Sequence, residues 1–324
     1  MRNFSRVSDY EQNLQIATQD EAGIYRSNTH YNEMIQREQL YNLLGERTFL
    51  GGKLRLMFGY EMLFTNFSSY DGRPVEEAFD REGEEVEAIN NQTLVDIERN
   101  DGTWDRFNLS GFQDDRRKFT SMPAGALIYD TRDFEPDPSE GIFLQYSHEY
   151  SVPWLGSEFD FHKFMIQGQY IKTLKRWGGG KNRVTFAGMS SFGCIFGQNI
   201  NFIEMWDLSS QAEAGGILVL GGDRSVRGFR EARFLAPTVL LMNYELRTRF
   251  WNFRILNQRM NLGANLFYDA GSVWDHPSDM NFKKWVGAPG IGARLAWNQS
   301  TIIRLDFAAS REGSQTFLGF GHIF

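Results

Sequence analysis

Three charged residues are spaced so that they could act together. Arg227 lies in the run Leu220-Gly221-Gly222-Asp223-Arg224-Ser225-Val226-Arg227-Gly228-Phe229, and Glu245 and Asp269 each fall in an alternating stretch beyond it. A guanidinium stays charged in a protein and presents a planar fork of donors. Two carboxylates on the polar face of neighbouring strands could hold that fork as a charge-assisted clamp, provided the loop folds back onto them. In such a clamp Gly228 supplies backbone freedom and Phe229 an apolar anchor. The alternative is three unrelated residues, with Arg227 a solvated loop charge. Other constellations stop short of a chemistry. Gly188-Met189-Ser190-Ser191-Phe192 fails the nucleophile-elbow pattern at its last position. Gly178-Gly179-Gly180-Lys181-Asn182 lacks the spacing and the hydroxyl of a phosphate loop. Gly287 to Gly292 leads into a strand rather than a helix, so it is no dinucleotide fingerprint. His30, His148, His162, His276 and His322 are scattered without metal-ligand spacing. Cys194, the single cysteine, sits in an apolar stretch and reads as packing. No catalytic residue, cofactor or metal is expected, and the chain does not read as an enzyme.

The elements that must position the charged residues have a period of two. From Val239 to Phe250, Leu240, Met242, Tyr244 and Leu246 take one face and Asn243, Glu245, Arg247 and Arg249 the other. Leu262, Ala264, Leu266 and Tyr268 oppose Asn261, Asn265 and Asp269; Ile303, Leu305 and Phe307 oppose Arg304 and Asp306. Strands are expected near 34–49, 53–66, 118–131, 141–152, 159–174, 183–196, 237–250, 260–273, 286–298, 301–310 and 316–324, with 2–20 as one more. Two folds share this alternation. A soluble antiparallel sheet buries the apolar face; an outer-membrane barrel gives that face to lipid and the polar face to its lumen. Many runs reach ten residues, longer than the five or six usual in soluble sheets. Tyr60, Phe64, Phe250, Trp274 and Trp297 lie near run ends, as an interfacial girdle requires. Connections also alternate: one side is short throughout, while the other contains the long loops 67–117 and 197–236. That sorting is what a barrel threaded through an outer membrane shows.

Composition agrees. The chain of 324 residues is 41% hydrophobic and carries a net charge of −7. No window approaches the roughly 18 uninterrupted apolar residues of a spanning helix. The 28 Phe, 12 Tyr and 8 Trp supply too much burial for wholesale disorder. No basic face suggests nucleic acid. Between Asp71 and Arg99 ten acids face only Arg73, Arg81 and Arg99. That segment reads first as a solvated face, and second as a divalent-cation or surface-ligand site. The chain closes Thr316-Phe317-Leu318-Gly319-Phe320-Gly321-His322-Ile323-Phe324, which places Phe320 and Phe324 on one face of a last strand.

The run Gly221-Gly222-x-x-Ser225-Val226-Arg227-Gly228-Phe229 resembles the loop motif of the outer-membrane assembly and secretion barrels, the BamA/TamA-like family also called bacterial surface antigen. Tyr244-Glu245-Leu246, Phe267-Tyr268-Asp269-Ala270-Gly271 and Tyr129-Asp130-Thr131-Arg132-Asp133 are similar to its strand and turn motifs. The likeness covers 118–324 well and 34–66 loosely. It implies an all-β, transmembrane antiparallel β-barrel over 1–324; the chain departs from the family in showing about 12 strands of a 16-stranded barrel, and neither the family's periplasmic POTRA repeats nor a signal peptide is read in it. The simplest reading is the C-terminal part of a longer protein; a true twelve-stranded relative is the other. Implied with it are the bacterial outer membrane, its lipids, client outer-membrane or secreted proteins, and assembly machinery that recognises the strand ending in Phe324. Phe324 is expected to act in that recognition more than in final stability, because a terminal side chain buries little. A passive pore or structural barrel is the alternative, and a soluble all-β binding protein the third.

Overall fold

The structure, a computed structural model, describes residues 27–28, 34–69, 78–79, 85–86, 117–200, 204, 220–231, 233–281, 285–298 and 300–324. Eleven strands form one antiparallel sheet: β1 Met34–Phe49, β2 Leu54–Ser69, β3 Lys118–Asp130, β4 Glu140–Ser151, β5 Asp160–Trp177, β6 Asn182–Asn199, β7 Thr238–Ile255, β8 Gln258–Trp274, β9 Val286–Trp297, β10 Thr301–Ser310 and β11 Gly313–Phe320. Each pairs with its sequence neighbours, and β1 and β11 end the order. Three two-residue strands, Ser27–Asn28, Ala78–Phe79 and Glu85–Val86, make a separate small sheet. The segment 2–20 and most of the acidic stretch 71–99 lie outside the described residues.

Burial decides between the two folds that alternation allows. Along β7, Asn243, Glu245 and Arg247 are buried while Tyr244 and Leu246 are exposed. Along β8, Asn265 and Asp269 are buried while Leu266 is 59% exposed. Arg304 and Asp306 are buried on β10, and Leu305 and Phe307 are not. A water-soluble sheet would do the reverse, since charged side chains are rarely hidden while leucines are left out. The exposed band continues through Leu144, Ile166, Ile291 and Leu318. This is a transmembrane barrel wall, apolar outside and polar within.

Two expectations about that wall need correction. Phe250 and Trp297 are exposed near the short-turn rim, but Trp274 turns inward and meets Trp285 edge-on, with centroids 6.3 Å apart. The interior is also not polar throughout. Near the long-loop end Phe161, Met165, Ile195, Leu241 and Val273 face inward, and Leu220, Val226, Phe229, Phe234 and Leu235 of the β6–β7 loop pack on them. Inward apolar positions there are covered by the loop's own apolar residues, so the loop plugs that half of the barrel. One buried charged group shares this half, Lys163 between Phe161 and Met165 on β5, which pairs with Glu149 at 2.5 Å and with Glu204 of the loop at 2.7 Å; the charged residues around Arg227 occupy the other half.

The β3–β4 turn shows how local chemistry fixes a connection. Arg132 folds back on Asp130, with Nη2 2.7 Å from Oδ2, and lies 4.7 Å over the Phe143 ring. The Asp133 carboxylate accepts from the amides of Ser139 at 2.7 Å and Glu140 at 3.2 Å, and from the Ser139 hydroxyl. Partial burial works against its charge, but these donors outweigh that and hold its carboxyl below the usual value. A depressed folded value contributes stability above the unfolded value and loses it as pH falls through the folded one. Amide exchange at Ser139 and Glu140 should therefore accelerate below about pH 4, after correction for intrinsic rates. In Asp133→Asn it should be fast at neutral pH too. Gly141 (φ +135°) completes the turn, because a Cβ there would sit 2.5 Å from Arg132 Cα.

Candidate functional site

The loop between β6 and β7 carries Arg227 into the barrel. Gly222 adopts φ +102°, and a Cβ on it would collide with the Glu231 carboxylate. Its amide donates to the Phe229 carbonyl at 3.2 Å, its carbonyl accepts from Ser225, and Leu220 bridges to Phe234. The turn so closed aims Val226 and Phe229 into the apolar plug, where Phe229 and Phe234 meet edge-on at 5.2 Å. Arg227 then points the other way, toward the charged half.

There it is fully buried among carboxylates from three strands. Nε and Nη2 lie 2.7 and 2.9 Å from the two oxygens of Asp269 on β8, and the Arg227 amide adds a 3.1 Å bond to the same group. Nη1 lies 2.8 Å from Glu245 on β7 and 3.0 Å from Asp306 on β10. The guanidinium is stacked 3.4 Å over the Phe267 ring. Asn243 Nδ2 donates to Asp269 Oδ1 and to the Ser225 carbonyl, each at 2.8 Å. Charge balance extends outward. Arg247 donates to Glu245 at 2.7 Å, Arg294 to Asp306 at 2.5 Å, and Arg304 joins Asp306 at 3.1 Å to Asp223 of the loop at 2.6 Å. A buried charge is tolerable only when paired in this way.

The structure thus brings Arg227, Glu245 and Asp269 together. The sequence reasoning missed Asp306, Phe267 and the outer arginines. Asp306 was recoverable, since it shares the polar face of its strand with Arg304. Phe267 was not, because a phenylalanine on a lumen face reads as an exception to the alternation. Its cause lies opposite: Phe267 pairs with Gly290, and the ring lies over the space a side chain there would fill. Gly292, opposite Asp306, leaves room for Asp306 and Arg294 in the same manner. These glycines do structural work that their resemblance to a failed nucleotide motif conceals.

Gly228 requires a correction. Its backbone does not take a positive φ. What it provides is space, because a Cβ would sit 2.6 Å from Ala288 Cβ and 2.9 Å from the Ala309 carbonyl, while Ser310 Oγ donates to the Gly228 carbonyl at 2.6 Å. Gly228→Ala should therefore cost about 1–3 kcal/mol by overpacking against backbone. Urea unfolding of the refolded barrel measures it, and a change below about 0.5 kcal/mol would mean that the loop can lift off β9 and β10 freely.

The last strand also departs from expectation. It ends at Phe320, and Gly321 (φ +75°) turns the chain inward, so Phe320 and Phe324 do not share a face. Leu318 and Phe320 are exposed, whereas Phe324 packs on the apolar plug and on Arg247, 4.8 Å from its guanidinium carbon. The premise that this terminal side chain buries little is overturned. Phe324→Ala should lower the stability of the refolded barrel by about 1–2 kcal/mol through the lost desolvated cation–π contact. Phe320→Ala should change it far less in the same detergent-unfolding measurement; equal losses would refute the inward packing.

Comparison with known proteins places this architecture. No curated protein matches the sequence. Among solved structures, BamA from Haemophilus ducreyi, crystallised without POTRA domains 1–3, is similar with a TM-score of 0.52 at 12% identity. The match covers 93% of this chain and 54% of the BamA chain, so this chain spans about half the length of that relative. The Omp85 superfamily domain matches residues 30–320, nearly the whole barrel wall together with its lumen loop. The chain belongs to the Omp85 superfamily and is an integral β-barrel of the bacterial outer membrane.

Proposed function

We propose that this barrel inserts or translocates proteins at the outer membrane, and that the β6–β7 loop, latched through Arg227, is its moving part. The observation that carries the proposal is the latch itself, a guanidinium shared by three strands and reached by a loop, inside a barrel of a family of assembly and transport proteins. A residue needed only to stabilise a wall would sit on the wall. The loop fills one half of the interior with a largely apolar plug, which it also ties to Lys163 through Glu204, so moving it opens a path along the lumen. Clients are other outer-membrane or secreted proteins, and no chemical step is involved. The short-turn rim, with the β3–β4 turn and residues 321–324, faces the periplasm, and assembly machinery recognises the final strand there. Deleting Phe324 is then expected to reduce the assembled barrel recovered from cells.

The plug weighs against a passive pore, which needs an open lumen. Proteoliposomes holding the barrel provide the test. Added unfolded client should become heat-modifiable and protease-protected faster than in empty liposomes. Planar bilayers should show little steady conductance. Large constant conductance with no gain in client folding would overturn the insertase reading in favour of the pore.

A further inference from the structure

At the short-turn end of the lumen, beyond Glu245, lies a cavity of about 30 Å³. Four guanidinium groups line it: Arg183 on β6, Arg247 and Arg249 on β7, and Arg294 on β9, together with Asp137 of the β3–β4 turn and His322. Among the described residues Asp137 is the single carboxylate in this lining, and it is already engaged. It pairs with Arg183 at 2.7 Å, with Arg249, and with His322 Nε2 at 3.3 Å. Glu245, outside the lining, accepts from Arg247 Nε at 2.7 Å and lies 3.9 Å from Arg294 Nη2, but it also serves Arg227. Arg247 Nη1 and Arg294 Nε and Nη2 consequently have no hydrogen-bond partner among the described residues, on side chains that are only 6% exposed.

We propose that this cavity binds one small inorganic oxyanion of the phosphate class. Buried charged donors without acceptors are costly. Glu245 and Asp306 engage other nitrogens of Arg247 and Arg294, and Arg247 Nη2 donates to a Phe324 main-chain oxygen at 3.1 Å, which leaves these three donors to be met from the cavity. Planar guanidinium forks offer paired N–H groups that match two oxygens of a tetrahedral anion, a match a monatomic anion cannot make. The volume suits one such ion in place of the few waters it would otherwise hold. Strands β6, β7 and β9 each contribute to the lining, so the ion would draw together the short-turn ends of the segment that carries the latch. A phospholipid headgroup has the same phosphate chemistry, but acyl chains run along the opposite, outer face of the wall.

The experiment is isothermal titration of the barrel, refolded in non-ionic detergent at low ionic strength, with sodium phosphate. Sodium chloride at matched ionic strength and dihexanoyl phosphatidylglycerol serve as the other two arms. A saturable one-to-one isotherm for phosphate alone is expected, weakened at least tenfold in Arg294→Gln. Arg294 also supports Asp306, and Arg183→Gln, whose partner among the described residues is Asp137, gives the same expected loss if the first variant does not refold. Non-saturating heats, equal heats for chloride, saturation by the phospholipid alone, or unchanged phosphate binding in a folded variant would each overturn the assignment.

Discussion

Replacing Arg227 by alanine will free the loop before it unfolds the wall. The substitution leaves Asp269 without a cationic partner among the described residues and Glu245 and Asp306 with the flanking arginines alone. Breaking a buried ion pair by removing one partner typically costs about 3–5 kcal/mol, less where lumen water enters. The cost falls on the loop's attachment, because the strand ladders do not pass through Arg227. Limited proteolysis should therefore cut the β6–β7 loop in the variant while the barrel keeps its heat-modifiable migration, and client insertion should fall in parallel. Arg227→Lys should rescue only partly. An ammonium is a point charge that cannot serve three carboxylates in one plane or stack flat on Phe267. A double-mutant cycle with Asp269→Asn gives the decisive number. Additivity within about 0.5 kcal/mol would mean that the two residues are independent, against the bidentate contact described here.

The second large effect concerns the outer face. Leu266 stands at the centre of β8 and is 59% exposed. Leu266→Arg should destabilise the barrel in lipid bilayers by about 2–4 kcal/mol, whereas Phe250→Arg, near the short-turn rim, should cost about 0–1 kcal/mol. The gradient with depth is the signature of hydrocarbon. Urea titrations of both variants in vesicles measure it. Equal costs would mean that Leu266 does not face the bilayer core.

How much of this could be read from the residues alone follows from the kind of constraint each feature obeys. Strand positions are set by a period of two written along the chain, and β7, β8 and β10 fall within a few residues of where alternation puts them. Deciding which face meets water is not local. The same Leu266 and Asn265 suit either a soluble sheet or a barrel, and only the burial of Asn265 beside the exposure of Leu266 separates them. Arg227 was legible through the unusual run around it, and two of its three carboxylates through their inward parity. Phe267 was not, because its inward place depends on a glycine across the ladder on another strand. Phe324 misled for a related reason. Counting by twos assumes a continuing strand, and one positive φ at Gly321 ends that assumption four residues from the terminus.

The latch has a mechanical consequence. Its contacts tie β7, β8 and β10 to the loop, so that stretch of wall resists tension through side chains as well as through its ladders. At the other end β1 is paired, among the described residues, with β2 alone, and every side chain described from Arg37 to Phe49 is exposed. A barrel drawn from its N-terminal strand in a force spectrometer should peel hairpin by hairpin in small, regular steps up to β6. It should then meet one tall rupture where the loop tears free of the three carboxylates, and in Arg227→Ala that peak should shrink into the regular series.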